Sequence, residues 1–181
     1  DMECPAELAT KTDDATEIDR REKHIFWKLK GITAKLTYRI FVKYGNPTIV
    51  EEKPEIQAFS NWFSTNCNVA LLESHLTLLL ARSTGYVGAK ALNFAIKYTS
   101  ASTKLSVTMD KLKPFVLRIL QDTVIPILFV TARDLNQFET EPIEYIRAQY
   151  DFTETLFAPK NQVQDLLCYL CKYSSTKRKK N

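Results

Sequence analysis

The spacing with the clearest chemical precedent in the sequence is Cys168-x-x-Cys171, which could hold a zinc ion or form a redox pair. A structural zinc site needs a second pair of ligands, but the remaining cysteines and histidines stand apart: Cys4, Cys67, His24 and His75. A redox pair gains reactivity at a helix N-terminus, whereas this pair lies in an apolar run, Leu166–Leu170. Because free cysteine is among the most buried residue types, the pattern predicts core packing and no metal site.

No other group of residues predicts a catalytic centre. No serine or cysteine stands in a Gly-x-Ser-x-Gly elbow, and the four glycines form no phosphate-binding loop. The acidic pairs Glu51-Glu52 and Glu139-x-Glu141 stand close to prolines, where carboxylates of a first helical turn are favoured by the helix dipole. We therefore predict no catalytic and no cofactor-binding residues. The chain is predicted not to be an enzyme.

Composition and charge favour one globular domain. The 181 residues are 45% hydrophobic and 25% charged, with a net charge of +4. Acidic residues dominate Asp1–Glu22, and basic residues close the chain at Lys177–Lys180. A nucleic-acid surface would spread its cations along one face, so no direct nucleic-acid binding is expected. The basic end has three readings that stay open: a localisation signal, a phosphate-contact patch, or a solvated continuation of the chain.

Cysteine use and hydropathy bear on the compartment. Four cysteines are too few for a disulfide framework, which predicts a reducing compartment. No apolar run approaches the ~20 residues of a membrane-spanning helix, so we expect no membrane insertion.

Apolar residues recur at helical spacing throughout. We expect an acidic, irregular lead-in at residues 1–20 and a first helix at 21–44. Its apolar stripe is predicted to face the core: Ile25, Leu29, Ile32, Leu36 and Ile40. Gly45-Asn46-Pro47 should end the helix, with the glycine at positive φ.

Prolines and glycines punctuate the rest of the chain. Further helices are predicted at 54–82, bent or split near residues 65–68, at 87–103, and at 110–131. The last of these should begin at an Asp110 N-cap, kink at Pro126 and be the most buried element. Pro142 and Pro159 should open two shorter helices, with the apolar stripes Ile143, Ile146 and Tyr150, and Val163, Leu166, Leu167 and Leu170.

The fold class is predicted to be all-α. The helices pair naturally as 21–44 with 54–82, 87–103 with 110–131, and 142–150 with 159–175. We expect about three HEAT-like antiparallel pairs at 21–175, forming an α-solenoid, and a basic end at 176–181.

Five short motifs follow one another along this helical pattern. They are Trp27-Lys28-Leu29-Lys30, Tyr44-Gly45-Asn46-Pro47, Leu112-Lys113-Pro114, Gln121–Pro126 and Glu141–Arg147, followed by Tyr150-Asp151-Phe152 and Ala158-Pro159. Their succession, from about Ile25 to Lys180, resembles the importin-beta (karyopherin) family, in particular its importin-seven/importin-eight branch and fungal relatives. In the last motif, Tyr145 and Arg147 are expected to brace one helix against its neighbour.

The resemblance implies a segment of an importin-beta-like HEAT superhelix, an armadillo-type fold. It implies a nuclear transport receptor that shuttles between cytoplasm and nucleus. The implied partners are the GTPase Ran, bound by the full-length receptor, protein cargo, and the phenylalanine-glycine nucleoporins of the nuclear pore. We expect an internal stretch of a longer receptor, downstream of the Ran-contacting repeats and upstream of the acidic loops. The partner-binding residues are unknown from the sequence.

Two rival hypotheses remain at this point. One is an α-solenoid adaptor or scaffold that keeps the fold without binding Ran. The other is a redox or zinc protein that uses Cys168 and Cys171.

Overall fold

The structure, a computed structural model, describes residues 4–12, 14–47, 50, 53–130, 132–150 and 159–178. Within these ranges it contains helices and no strand. The helices are α1 Ala6–Ala9, α2 Ala15–Lys23, α3 Ile25–Ile40, α4 Pro54–Asn66, α5 Asn68–Ala81, α6 Ala89–Ser102, α7 Ser106–Leu112, α8 Val116–Ile119, α9 Ile125–Leu128, α10 Ala132–Thr140, α11 Pro142–Tyr150 and α12 Pro159–Arg178. The prediction of an all-α, solenoid-type fold is confirmed.

The helices pack in two rows. Helices α3, α6 and α12 lie side by side with α6 in the centre, while α5 packs against α6 and against the α7–α9 segment. This layering differs in part from the predicted pairs. Helix α11 packs against α10, whereas α12 packs against α6 and α9. None of the described helices combines the length and the apolar character that a bilayer crossing requires.

Helix α6 is the centre of the core and the most buried of these elements. Most of its residues, from Ala91 to Ser102, are buried, because neighbours cover it on several sides. The prediction that the 110–131 region would be the most buried element is therefore wrong. Fully buried apolar side chains from other helices surround α6, and each contributes about 1.5–3 kcal/mol: Leu72, Leu79, Leu112, Ile119 and Leu166.

The acidic N-terminal stretch contains two helices where irregular chain was expected. The Asp14 side chain caps α2, with its Oδ1 accepting a hydrogen bond from the Thr16 N–H at 2.9 Å. Leu8 in α1 is completely buried. One apolar side chain therefore anchors a segment whose composition suggested a loop.

The face of α3 that packs on the core is not the predicted one. The buried positions are Phe26, Trp27, Gly31 and Ala34. The predicted core stripe lies on the opposite side: Ile25, Leu29, Ile32 and Leu36 are all exposed. Ile40 alone of that stripe is partly buried against the core. This prediction is wrong in its choice of face.

Gly45 ends the first helix by a different mechanism from the predicted one. The helix runs into a π-helical turn at Phe41–Gly45, and no glycine among the described residues has positive φ. A Cβ at Gly45 would lie 2.6 Å from the ring of Phe63. The glycine is therefore needed for the close approach of that ring.

Prolines and a cysteine mark the helix boundaries largely as predicted. Pro54, Pro142 and Pro159 each open a helix, and Cys67 separates α4 from α5. The fourth predicted helix instead begins at Ser106, so Asp110 is not its N-cap.

That helix is also more broken than expected. It continues through a 3-10 turn at Lys113–Phe115, α8 and a π-helical turn at Leu120–Val124. Pro126 then lies at the start of α9.

The predictions for the apolar stripes of the two C-terminal helices have opposite outcomes. Val163, Leu166 and Leu170 of α12 are buried, as predicted. Ile143 and Ile146 of α11 are exposed, so that prediction is wrong. Glu51, Glu52, Asp151, Phe152 and Ala158 lie outside the described residues, as do residues 179–181 of the basic end.

Candidate interaction surface

The Cys-x-x-Cys pair, Cys168 and Cys171, lies on the surface of α12. Cys168 and Cys171 are both exposed and carry free thiols. The prediction that they pack in the core is therefore wrong. Three positions apart on a helix, they lie on the same side of it. Within the described ranges, no group of three or more His, Cys, Asp or Glu side chains could hold a metal ion.

The two histidines serve structural roles. His24 caps α3, with its Nδ1 accepting a hydrogen bond from the Phe26 N–H at 3.2 Å. His75 is buried between α3 and α6, with its ring stacked on Tyr98 at a centroid distance of 4.3 Å. Neither imidazole stands beside a reactive serine or cysteine in the described chain.

His75 is held in its neutral form. The Thr37 hydroxyl donates to the helix carbonyls of Thr33 and Ala34, at 3.1 Å each. The same hydroxyl forms a hydrogen bond with the Nε2 of His75 at 3.0 Å. Burial lowers the pKa of His75 to about 4. Its Nδ1 has no hydrogen-bond partner in the described structure.

Glu22 joins the N-terminal helices to α6, a contact that the sequence did not suggest. Its Oε1 accepts hydrogen bonds from the Tyr86 hydroxyl at 2.5 Å and from the Ala89 N–H at 2.6 Å. The carboxylate thus satisfies a free N–H of the first turn of α6. Burial and the hydrogen bond to Glu22 raise the pKa of Tyr86. More than sixty residues separate the partners, so no local motif could have revealed this contact.

A mainly apolar groove of about 470 Å³, with Glu22 at its edge, runs between α3 and α6. Lys35 and Lys90 line it together with Phe94 and the buried amide of Asn93. The ammonium of Lys97 lies 5.3 Å from the centre of the Phe94 ring. Burial lowers the pKa of Lys97. Cations beside an aromatic ring suit contact with acidic and aromatic groups of another protein.

A second cleft, of about 760 Å³, lies where the N-terminal segment meets the loop between α5 and α6. Lys11, Arg82 and Gln121 line it with Asp122, whose carboxylate accepts a hydrogen bond from Arg118 at 3.3 Å. Burial lowers the pKa of Arg82. The groove is lined mainly by apolar surface, and the cleft is lined about equally by polar and apolar surface.

The sequence comparisons agree on one group of relatives. The chain is 28% identical to the "Importin beta-like SAD2 homolog" of Arabidopsis thaliana over 93% of its own length and 16% of that protein. It is 28% identical to importin-8 of Homo sapiens over 90% of the chain and 15% of that protein. A probable importin-7 homolog of Dictyostelium discoideum is 24% identical over 87% of the chain.

The chain fits the importin-beta family, in its importin-7/importin-8 branch. It spans about one sixth of the length of the curated relatives it matches. No protein-family profile matches it, and no solved structure matches it.

The motifs that carry the importin-beta resemblance have packing roles in the structure. Trp27 is buried and meets the rings of Phe26 and Tyr86 edge to face, at 5.0 and 5.6 Å. The other tryptophan, Trp62, is exposed on α4.

The Glu-Pro-x-Glu-Tyr-Ile-Arg motif of this importin-beta-like chain lies on α11. Tyr145 meets Phe138 of α10 edge to face at 5.6 Å, so it braces two helices as expected. Arg147 instead pairs with Glu144 of its own helix at 2.7 Å. The predicted contact between helices is therefore made by Tyr145 and not by Arg147.

Proposed function

We propose that the chain is a segment of a nuclear transport receptor that carries protein cargo through nuclear pores under the control of the GTPase Ran. The supporting observation is the similarity to importin-8 and to importin-7 homologs along about nine tenths of the chain. On this proposal the complete protein shuttles between cytoplasm and nucleus. It acts by binding and needs no catalytic residue or cofactor.

The layered helices suit such a mechanism. Each helix of the α3, α6 and α12 row contacts its neighbours, so a shift at one contact is passed along the row. Ran and cargo need only favour different curvatures of the solenoid. Binding of one then weakens binding of the other by a coupling free energy of about 1–3 kcal/mol. Phenylalanine-glycine nucleoporins are proposed to bind the same receptor during passage.

The test uses the complete protein that contains this chain. Immobilised Ran, loaded either with a non-hydrolysable GTP analogue or with GDP, is offered to that protein. We expect retention by the GTP form alone, and release of a bound cargo when that form is added. Equal retention by both nucleotide forms, or by neither, would favour an adaptor that keeps the solenoid without Ran control. Fluorescent tagging in cells checks whether the protein appears on both sides of the nuclear envelope.

A further inference from the structure

The cleft of about 760 Å³ lies at the ends of helices and has three walls. They are the N-terminal segment at Lys11, the loop between α5 and α6 that begins at Arg82, and the π-helical turn at Gln121 and Asp122. Helix α6 has neighbours on both sides of the row, α3 and α12. Further helices of a solenoid would stack beside α3 or α12. They would leave open a cleft at the ends of α5 and α6.

Hydrogen bonds hold the three walls of this cleft together. The Tyr86 N–H donates to the Ala9 carbonyl at 2.8 Å and joins the loop to the N-terminal segment. The Thr123 hydroxyl donates to the Leu79 carbonyl at 2.9 Å and joins the π-helical turn to the end of α5. The walls are therefore preorganised, so a ligand that enters the cleft loses little affinity to loop ordering.

The guanidinium of Arg82 is a half-buried cation with no partner among the described residues. Arg82 follows the last residue of α5, where unpaired helix carbonyls could have accepted its N–H groups. The loop already occupies those carbonyls. The Leu80 carbonyl accepts from the Ser83 N–H at 3.2 Å and from its hydroxyl at 2.8 Å. The Ala81 carbonyl accepts from the Gly85 N–H at 2.9 Å.

The charges around the cleft leave room for an anion. Lys11 is exposed and, like Arg82, has no ion-pair partner in the part of the chain that the structure describes. Asp122 is the only carboxylate among the described lining residues, and Arg118 balances its charge. Two free cations match about two carboxylates. A nucleic-acid strand would need a longer row of cations along its phosphates.

The apolar part of the lining favours a peptide over a small inorganic anion. Ile18, Val87 and Pro126 contribute to it. A free phosphate or sulfate ion would contact only the polar half of the cleft. An aliphatic side chain next to a carboxylate would fill both halves, because sites for organic groups combine apolar area with a few polar contacts. Arginine also suits a carboxylate, which it can bind through two parallel N–H groups.

We propose that this cleft binds an acidic peptide segment of a partner protein. One carboxylate of the segment pairs with Arg82, and a neighbouring aliphatic side chain packs on the apolar part of the lining. The exposed Lys11 pairs with a second carboxylate. This inference goes beyond the proposed control by Ran and does not depend on it.

The test uses the complete protein that contains this chain and two short fluorescent peptides. Both peptides carry alternating leucine, and they differ only in having glutamate or glutamine at the other positions. Fluorescence anisotropy measures the affinities. We expect the glutamate peptide to bind at least about tenfold more tightly than the glutamine peptide, and added salt to reduce the difference. Millimolar inorganic phosphate should displace little of the bound peptide, because it makes no apolar contact.

Four variants assign the binding to the cleft. Arg82→Gln should weaken the glutamate peptide about tenfold or more, and Arg82→Lys should weaken it less, because lysine keeps the charge without the planar fork. Asp122→Asn should strengthen it by about threefold, because a like charge leaves the cleft. A damaged fold would not produce that gain. Arg39→Gln, at an exposed arginine of α3 outside the cleft, is the matched control and should change nothing.

Four outcomes would overturn the proposal. Equal affinities for the two peptides would remove the role of the carboxylates. Binding that survives Arg82→Gln would place the peptide elsewhere on the surface. Complete displacement by inorganic phosphate would reduce the cleft to a site for a free anion. Binding to the 181-residue chain but not to the complete protein would identify another part of the same polypeptide, and not a partner, as the occupant.

Discussion

Burial keeps the His75 imidazole neutral in the folded chain, with a pKa of about 4 against an ordinary value of 6.5. Between these two values the unfolded chain binds a proton that the folded chain does not. The contribution of His75 to the free energy of unfolding should therefore be greatest above pH 6.5. It should decline as the pH falls below 6.5 and be smallest below pH 4. We expect the titration of His75 to lower the free energy of unfolding by about 2 kcal/mol between pH 7 and pH 5.

Urea unfolding at pH 7, 6 and 5 measures that loss, with His75→Gln as the control that does not titrate. The difference in stability between the two proteins should change across this range. Glu17 does not interfere, because its hydrogen bonds to Arg20 and Arg21 lower its pKa to about 2. Its contribution is lost as the pH falls from about 4.5 towards 2. Parallel pH profiles for both proteins would contradict the assignment to His75.

Gly45 tests a steric requirement at a single residue. Alanine there would place a Cβ 2.6 Å from the Phe63 ring, which forces the ring or the π-helical turn to move. We expect Gly45→Ala to destabilise the chain by about 1–3 kcal/mol. Gly31→Ala is the matched control. Its Cβ would lie 3.1 Å from the Cβ, Cγ and Cδ atoms of Lys90, so Lys90 must shift by a few tenths of an ångström, which is less than Gly45→Ala requires of the Phe63 ring. The gain in helix propensity of about 0.5–1 kcal/mol offsets part of that cost.

Thermal and urea unfolding of both glycine variants provide the measurement. A second variant, Gly45→Ala with Phe63→Leu, should recover part of the lost stability because it removes the ring. Equal effects at the two glycines would show that helix propensity, and not ring contact, decides the outcome at Gly45.

At the scale of elements, α3 shows what periodicity can and cannot predict. Its hydropathy pattern correctly predicted a helix, but two opposite faces are apolar. The isoleucine and leucine face is the more regular stripe, whereas the core face combines aromatic residues with Gly31 and Ala34. The small residues permit close approach of α6, where Lys90 packs over Gly31. Which face is buried depends on that neighbour, and the neighbour is not visible in the sequence of α3.

Two isoleucines in the C-terminal half of the chain allow a buried position to be compared with an exposed one. Ile119 of α8 is 1% exposed, whereas Ile146 of α11 is 50% exposed. Ile119→Asp should destabilise the chain by more than about 3 kcal/mol, because an ionised carboxylate would be buried without a partner. Ile146→Asp should change stability by about 1 kcal/mol or less. Chemical unfolding compares the two, and similar losses would mean that α11 is covered in solution.

The cysteines of α12 give a second element-scale expectation. Cys168 and Cys171 are exposed, whereas Cys4 and Cys67 are partly buried. A thiol reagent should therefore modify two groups rapidly in the folded chain and the other two more slowly, and denaturant should abolish the difference. Metal analysis of the same sample checks the zinc hypothesis. Stoichiometric zinc that protects Cys168 and Cys171 from the reagent would support that hypothesis against the binding function.

At the scale of the whole molecule, the fold class followed from local signals. Pro54, Pro142 and Pro159 open helices at their predicted places, because a proline is favoured in a first helical turn. The contacts that position the surface join distant residues: Glu22 with Tyr86, and Thr37 with His75. Local propensity carries no information about such pairs. The family likeness could be inferred from short motifs, but a binding face could not.

The two-row arrangement leads to a last expectation, about how stability is distributed. Helix α6 is packed by α3, α5 and α12, so its amides should exchange with solvent only when the whole domain unfolds. Helices α10 and α11 contact chiefly each other, and exposed side chains such as Leu135, Phe138 and Ile143 leave little apolar area to hold them. Their amides should exchange through local opening at a lower free energy.

Native-state hydrogen exchange, followed by mass spectrometry at increasing urea, separates these two cases. Amides of α6 should show an opening free energy equal to that of global unfolding, and one that falls steeply with urea, because global opening exposes much surface. Amides of α10 and α11 should show a smaller free energy with little urea dependence. Ile119→Asp should accelerate exchange in α6 and leave α10–α11 nearly unchanged. If both regions instead exchanged with the same free energy, the α10–α11 pair would be an integral part of the core, and the two rows would unfold as one cooperative unit that includes it.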